Sequence, residues 1–210
     1  MIAAESHYVA FAAAYARGCL RIDVDDDTAI ARGVEAGLKL HRFKRSAMLP
    51  RVRAVIGALR GFAATSIADL GSGRGAFVWP LLDALPIELV ATDMLDYRAK
   101  LFADVRRGGI DRVHGVRADA TALPFADAST DVVTALEVLE HMPGDGPARA
   151  AAEAMRVART AVIATVPSQA DDNPEHVHLF TRDTLAALFA GARKVSIDYV
   201  LGHIVCVATK

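Results

Sequence analysis

Near the middle of the sequence, the run Leu136-Glu137-Val138-Leu139-Glu140-His141-Met142 sets three side chains able to ligate a metal within one short stretch. Glu137 and Glu140 are three residues apart and Glu137 and His141 four apart, so one helical turn would bring all three to the same side. Two carboxylates and an imidazole on one face can bind a divalent cation. A second group follows at 167–181, where Asp171, Asp172, Asn173, Pro174 and Glu175 precede His176, His178, Phe180 and Thr181. Asn-Pro is turn chemistry, and an extended chain beyond it would send His176, His178 and Phe180 to one side. Two histidines beside an acidic turn are unusual as mere surface, although each also has an ordinary use in packing or capping.

A third stretch, Asp69-Leu70-Gly71-Ser72-Gly73-Arg74-Gly75-Ala76, has the look of a ligand-binding turn. Gly71, Gly73 and Gly75 permit a tight turn and close approach of backbone to a ligand, and Ser72 sits among them. The glycines alone also fit the G-x-G-x-x-A dinucleotide fingerprint. Asp69 separates the alternatives: a carboxylate there would repel a pyrophosphate and attract an ammonium or sulfonium, and S-adenosylmethionine carries both cations. Asp93, with Met94 after it, is placed for ribose hydroxyls, which either cofactor supplies. Asp119-Ala120 is placed for an adenine edge, and Leu136 lies where the same cofactor would pass.

These groups need a scaffold that brings them to one edge. From residue 62 onward, short apolar runs alternate with helical segments: strands at 66–70, 88–92, 112–118, 131–136 and 161–166, and helices at 76–85, 97–107, 142–157 and 182–189, the last capped by Thr181. Strands at 194–200 and 204–209 are joined by Leu201-Gly202-His203, a connection short enough to require an antiparallel pair. Repeated strand–helix units predict an α/β fold with a mostly parallel, doubly wound sheet and helices on both faces. Ligands of such sheets sit outside the carboxyl ends of the strands, where all three chemical stretches fall. Ahead of this region, residues 1–61 read as a helical extension, with helices at 3–20, at 28–40 behind an Asp27 cap, and from Pro50 through 51–59. Between Lys39 and Arg60 lie seven Lys or Arg residues and no acid. That run is either a solvated face or an electropositive rim for an acidic or phosphorylated substrate.

Composition bounds the rest. A chain of 210 residues, 53% hydrophobic, can bury a sizeable core, and its formal charge of −1 neither favours nor excludes a polyanionic partner. Cys19 and Cys206 have no metal or redox spacing, the first residues do not read as a signal peptide, and no stretch is apolar enough to span a bilayer. The expectation is a cytoplasmic protein without a membrane partner. The 38–59 segment offers a helical interface for a homodimer.

With the acidic glycine loop, Ala91-Thr92-Asp93-Met94, and Ala118-Asp119-Ala120 through Leu123-Pro124-Phe125 at successive strand ends, residues 62–210 resemble the class I S-adenosylmethionine-dependent methyltransferases. The resemblance implies a Rossmann-like seven-stranded sheet in the order 3-2-1-4-5-7-6 with strand seven antiparallel. It implies S-adenosylmethionine bound at Asp69, Gly71, Ser72, Gly73, Gly75, Asp93, Met94, Asp119, Ala120 and Leu136, and a substrate-selecting cover at 1–61. The Glu-x-x-Glu-His turn followed by a histidine ahead of Phe-Thr-Arg further resembles metal-dependent O-methyltransferases, including those acting on small-RNA 3′ ends. By position, that implies Glu137, Glu140, His141 and His176 as ligands of Mg²⁺ or a similar ion, with His141 or His178 as the proton acceptor. The leading expectation is metal-assisted O-methylation of a small polar hydroxylated substrate such as a sugar. RNA is disfavoured because no stacking aromatics accompany the basic residues. Other readings are a metal-independent carbon or nitrogen methyltransferase and a non-catalytic S-adenosylmethionine-binding scaffold.

Overall fold

Alternate residues of a strand point to opposite faces, and in the central strands both sets are apolar. In a computed structural model, which describes residues 2–45 and 49–210, Ile67, Val132 and Ile163 enter one core while Ala68, Val133 and Val162 enter another. Strands buried on both faces belong inside a parallel sheet. Here β1 (Ser66–Leu70), β2 (Glu88–Asp93), β3 (Val113–Arg117), β4 (Thr130–Leu136) and β5 (Ala158–Pro167) are parallel, and β6 (Lys194–Val200) and β7 (His203–Thr209) form the closing hairpin. The order is β3-β2-β1-β4-β5-β7-β6, with β7 antiparallel to β5 and β6, as the resemblance implies.

One face carries α1 (Val9–Leu20), α3 (Pro50–Gly61), α4 (Val78–Ala84) and α5 (Asp96–Arg107), joined through Phe11, Val55, Trp79 and Phe102. The other carries α6 (Gly146–Val157) and α7 (Arg182–Ala187), through Ala150, Ala154 and Leu185. The remaining helix, α2 (Asp26–Glu35), buries Ala29 and Ile30 against α1. Aromatic contacts cross the expected boundary at 61/62: Trp79 lies with ring centroids 5.5 Å from Phe11 and 4.9 Å from Phe43. Two glycines let α1 sit directly on α5. A Cβ on Gly18 would fall 1.8 Å from the Asp104 carbonyl oxygen, and one on Gly108 1.7 Å from that of Ala14.

Several boundaries differ from the sequence expectation. The cap of α2 is Asp25, which accepts from the Thr28 amide at 2.9 Å, rather than Asp27, because the helix starts two residues earlier. It ends at Glu35 instead of 40, since Gly37 takes a left-handed φ of 71° and Leu40–Phe43 forms a separate 3₁₀ turn. The helix expected at 142–157 begins at Gly146, with Pro147 in its first turn, and α7 stops at Ala187. The 38–59 segment suggested as a dimer interface includes 46–48, which lie outside the described residues. Among the described residues no helix is long and apolar enough to cross a membrane.

Candidate active site

Four strand ends meet at one edge. After β1 the chain turns through Gly71, Gly73 and Gly75, all at positive φ. At Gly71 a Cβ would come 2.3 Å from Val138 Cγ2, so the glycine loop abuts the turn that follows β4. Ser72 N donates to the Thr92 carbonyl at 2.8 Å and Gly73 N to Asp93 Oδ2 at 3.0 Å, which binds the loop to the end of β2. Asp93 is 4% exposed and also accepts from Leu95 N at 2.9 Å and Arg98 at 3.2 Å. Met94, by contrast, is well exposed at this rim. Asp119 is exposed and forms an Asx turn with the Thr121 amide and hydroxyl, both at 2.8 Å, which holds its carboxyl below the usual range. Ala120 is half-buried beside it, and Leu136 is buried at the end of β4.

Asp69 does not face outward. It is 2% exposed, and its two oxygens accept from the hydroxyls of Ser72 and Thr134, each at 2.6 Å. Burial raises its pKa to about 6 against the lowering effect of those hydroxyls. The carboxylate therefore fixes the glycine turn from beneath, through Ser72. Thr134, in mid-β4, is invisible as a site residue in sequence because only the strand register sets it beside Asp69.

After β4 the expected helical turn is absent. Glu137 has a left-handed φ of 55°, and a 3₁₀ turn covers only Leu139–His141. Glu140, His141 and His176 come together, with one ligand atom of each within 4.8 Å of the others. Glu137 lies apart from this group: it pairs with His203 Nε2 at 3.2 Å and faces Arg51 Nε at 3.9 Å.

The three gathered residues are held in a manner suited to a cation. His141 Nδ1 is 3.0 Å from the Glu175 carbonyl, and His176 Nδ1 is 2.9 Å from Asp171 Oδ1. An acceptor at each Nδ1 assigns the proton there and leaves Nε2 with a free lone pair, as in metal-bound histidines. Glu140 is 1% exposed, and neither carboxylate oxygen has a hydrogen-bond partner. Burial pushes its pKa up to about 8, with Glu137 and Asp171 adding repulsion. Its carbonyl accepts from the amides of Val177 and His178 at 2.8 and 3.2 Å, pinning the histidine loop to the turn. His178 Nε2 is buried and without a partner in the same region. Cations sit about 2.0–2.6 Å from their ligands, and donors within 4.8 Å of one another lie in the range that one ion can bridge.

Residues 68–164 match the family described as a methyltransferase domain. A methyltransferase domain of that family therefore occupies residues 68–164, within a sheet of the class I order. Solved structures with this architecture include a SAM-dependent methyltransferase from Aquifex aeolicus, 15% identical over 76% of this chain and 96% of that one, TM-score 0.57. Another SAM-dependent methyltransferase, from Archaeoglobus fulgidus, is 15% identical over 76% and 94%, TM-score 0.59. Magnesium protoporphyrin IX methyltransferase from Synechocystis PCC 6803, with bound SAH, is 13% identical over 76% and 82%, TM-score 0.59. At such identities the likeness concerns the fold. No curated protein matches the chain.

Three residues that border the candidate cluster escape a reading of sequence alone. Asp171 orients His176 from five positions away, a spacing with no regular periodicity. Arg51 arrives from α3, and His203 from a hairpin that reads only as a turn. His203 was detectable through pairing, since β7 must run back along β5 and set it opposite Pro167.

Proposed function

We propose that this domain transfers the methyl group of S-adenosylmethionine to a hydroxyl of a small polar acceptor, at a metal centre made by Glu140, His141 and His176. The observation that carries the reading is the pair of histidines anchored through Nδ1 beside a buried carboxylate with no protein partner. A bound divalent ion would lower the pKa of the acceptor hydroxyl and fix its oxygen. The donor set of two imidazoles and one carboxylate favours a first-row transition ion such as Zn²⁺, Mn²⁺ or Fe²⁺ over Mg²⁺, which prefers oxygen. The resemblance implied Mg²⁺ or a similar ion held by Glu137, Glu140, His141 and His176; in the structure Glu137 pairs with His203.

The chain's own groups then have separate tasks. Glu175 and Asp171 hold the imidazoles, the Val177 and His178 amides hold Glu140, and the glycine loop, braced by Asp69 and Asp93, holds the cofactor. His178, with a buried unpartnered ring nitrogen, is the candidate to take the hydroxyl proton. The test is turnover on a panel of hydroxylated acceptors, read as S-adenosylhomocysteine formed. EDTA-stripped protein should lose about 100-fold or more and recover with a transition ion, and Asp171→Asn should need about 10–100-fold more metal for the same rate. Undiminished turnover after stripping would mean that methyl transfer here is metal-independent.

A further inference from the structure

A cavity of about 240 Å³ lies between the N-terminal segment and the glycine loop, away from the Glu140 cluster. His41, Arg42 and Lys44 line one side, Arg74 of the glycine loop lines another, and Tyr8 and Trp79 supply aromatic wall. Among the described residues, Arg42, Lys44 and Arg74 take part in no ion pair, whereas Arg17, Arg45, Arg98 and Arg156 each have a carboxylate within reach. Asp83, the acid whose field acts on Tyr8, is taken by Arg45 at 3.2 Å. Three uncompensated cations around one concave space attract an anion, and the field is focused because the walls are protein. The backbone of Arg74 is fixed from below, since its carbonyl accepts from Trp79 Nε1 at 3.1 Å.

The cavity also points somewhere. A smaller one of about 50 Å³ shares Tyr8 and Ala76 with it and is lined by Arg51 and Phe77. Arg51 Nε and Glu137 Oε1, 3.9 Å apart, are both buried without hydrogen-bond partners. The pair of cavities therefore leads from the cationic space toward the residues that follow β4.

We propose that the Arg42–Lys44–Arg74 pocket binds the acid group, a phosphate ester or carboxylate, of the methyl acceptor, and that the acceptor is a small anionic hydroxylated molecule. A half-open cleft of about 240 Å³ suits an acid group with a short carbon skeleton and is too small to track a nucleic-acid backbone. That the ligand is the methyl acceptor rests on the proposed methyl transfer; that the pocket binds an oxyanion does not.

The experiment uses the full chain with inorganic phosphate as probe, titrated calorimetrically at constant ionic strength set with chloride. Saturable binding is expected, weakened at least about tenfold in Arg42→Ala/Lys44→Ala, while S-adenosylmethionine affinity stays within about twofold. Carboxylate probes run in parallel distinguish the two acid groups. Metal-stripped protein should bind phosphate equally, so a failure of the metal reading leaves this result intact. Once an acceptor is found, its phosphorylated or carboxylated form should show the lower KM, and the double variant should erase that advantage with little change in kcat. Phosphate binding untouched by the double variant overturns the proposal. Equal losses of phosphate and S-adenosylmethionine affinity, with mutual competition, would overturn it by giving the pocket to the cofactor. Tight single-stranded RNA binding lost in the same variant would overturn the small-molecule assignment.

Discussion

Asp69 and Glu140 are both buried acids, 2% and 1% exposed, and the groups around them differ. Asp69 has a hydroxyl on each oxygen and Glu140 has none. For Asp69 the folded pKa of about 6 lies above the ordinary carboxyl value of 3.8, so folding favours the protonated form. Its contribution is complete below the unfolded pKa and is lost as pH rises through about 6. Asp69→Asn keeps a partner for each hydroxyl, accepting from one and donating to the other, and removes the ionisation. It should flatten the stability profile between about pH 4 and 6 and gain on the order of 2–3 kcal/mol at pH 7.5, measured by urea unfolding. A loss of stability at pH 7.5 would show instead that the ionised carboxylate is what the loop requires. The presence of an acid ahead of the glycines was plain in the sequence. Its inward direction was not, because Thr134 is 65 positions away.

At the scale of elements, strands and helices followed from periodicity, and the places where periodicity misled are informative. Four aspartates at 23 and 25–27 compete to cap α2, and sequence cannot say which has the extended backbone a cap needs. The Glu137–Glu140–His141 spacing suggested one helical face. A left-handed residue at Glu137 broke that spacing, and such a conformation is unmarked when the residue is neither glycine nor asparagine. The outcome turns Glu137 toward the cover and hairpin and leaves Glu140 with the histidines. Gly71 links the two functional turns, since its absent side chain makes room for Val138. Gly71→Ala should cost about 2–4 kcal/mol, part from positive φ and part from the clash. Adding Val138→Ala should restore the steric part and leave the conformational cost of about 1–2 kcal/mol. Strict additivity of the two changes would mean that the loop and the turn do not touch.

For the whole molecule, the candidate centre exists only when distant segments converge. Glu140 and His141 come from the turn after β4, His176 from the loop after β5, and the neighbouring Arg51 and His203 from α3 and the closing hairpin. The doubly wound parallel sheet was legible from the alternation of strand and helix and its order was implied by the family resemblance; that order brings these segments to one edge. The pairing of Asp171 with His176 and the seclusion of Glu140 depend on tertiary packing and left no trace in local sequence. Because the three ligands gather only in the folded chain, an ion bound there stabilises the fold by mass action, about 2.7 kcal/mol at a hundred times its dissociation constant. The most direct measurement is thermal unfolding of metal-stripped protein with and without Zn²⁺ or Mn²⁺, alongside His176→Ala. The account predicts a rise of several degrees for the wild-type chain, on the order of 5 °C, that is absent in the variant. An unchanged midpoint for the wild type, or an equal rise in the variant, would contradict a metal centre at Glu140, His141 and His176.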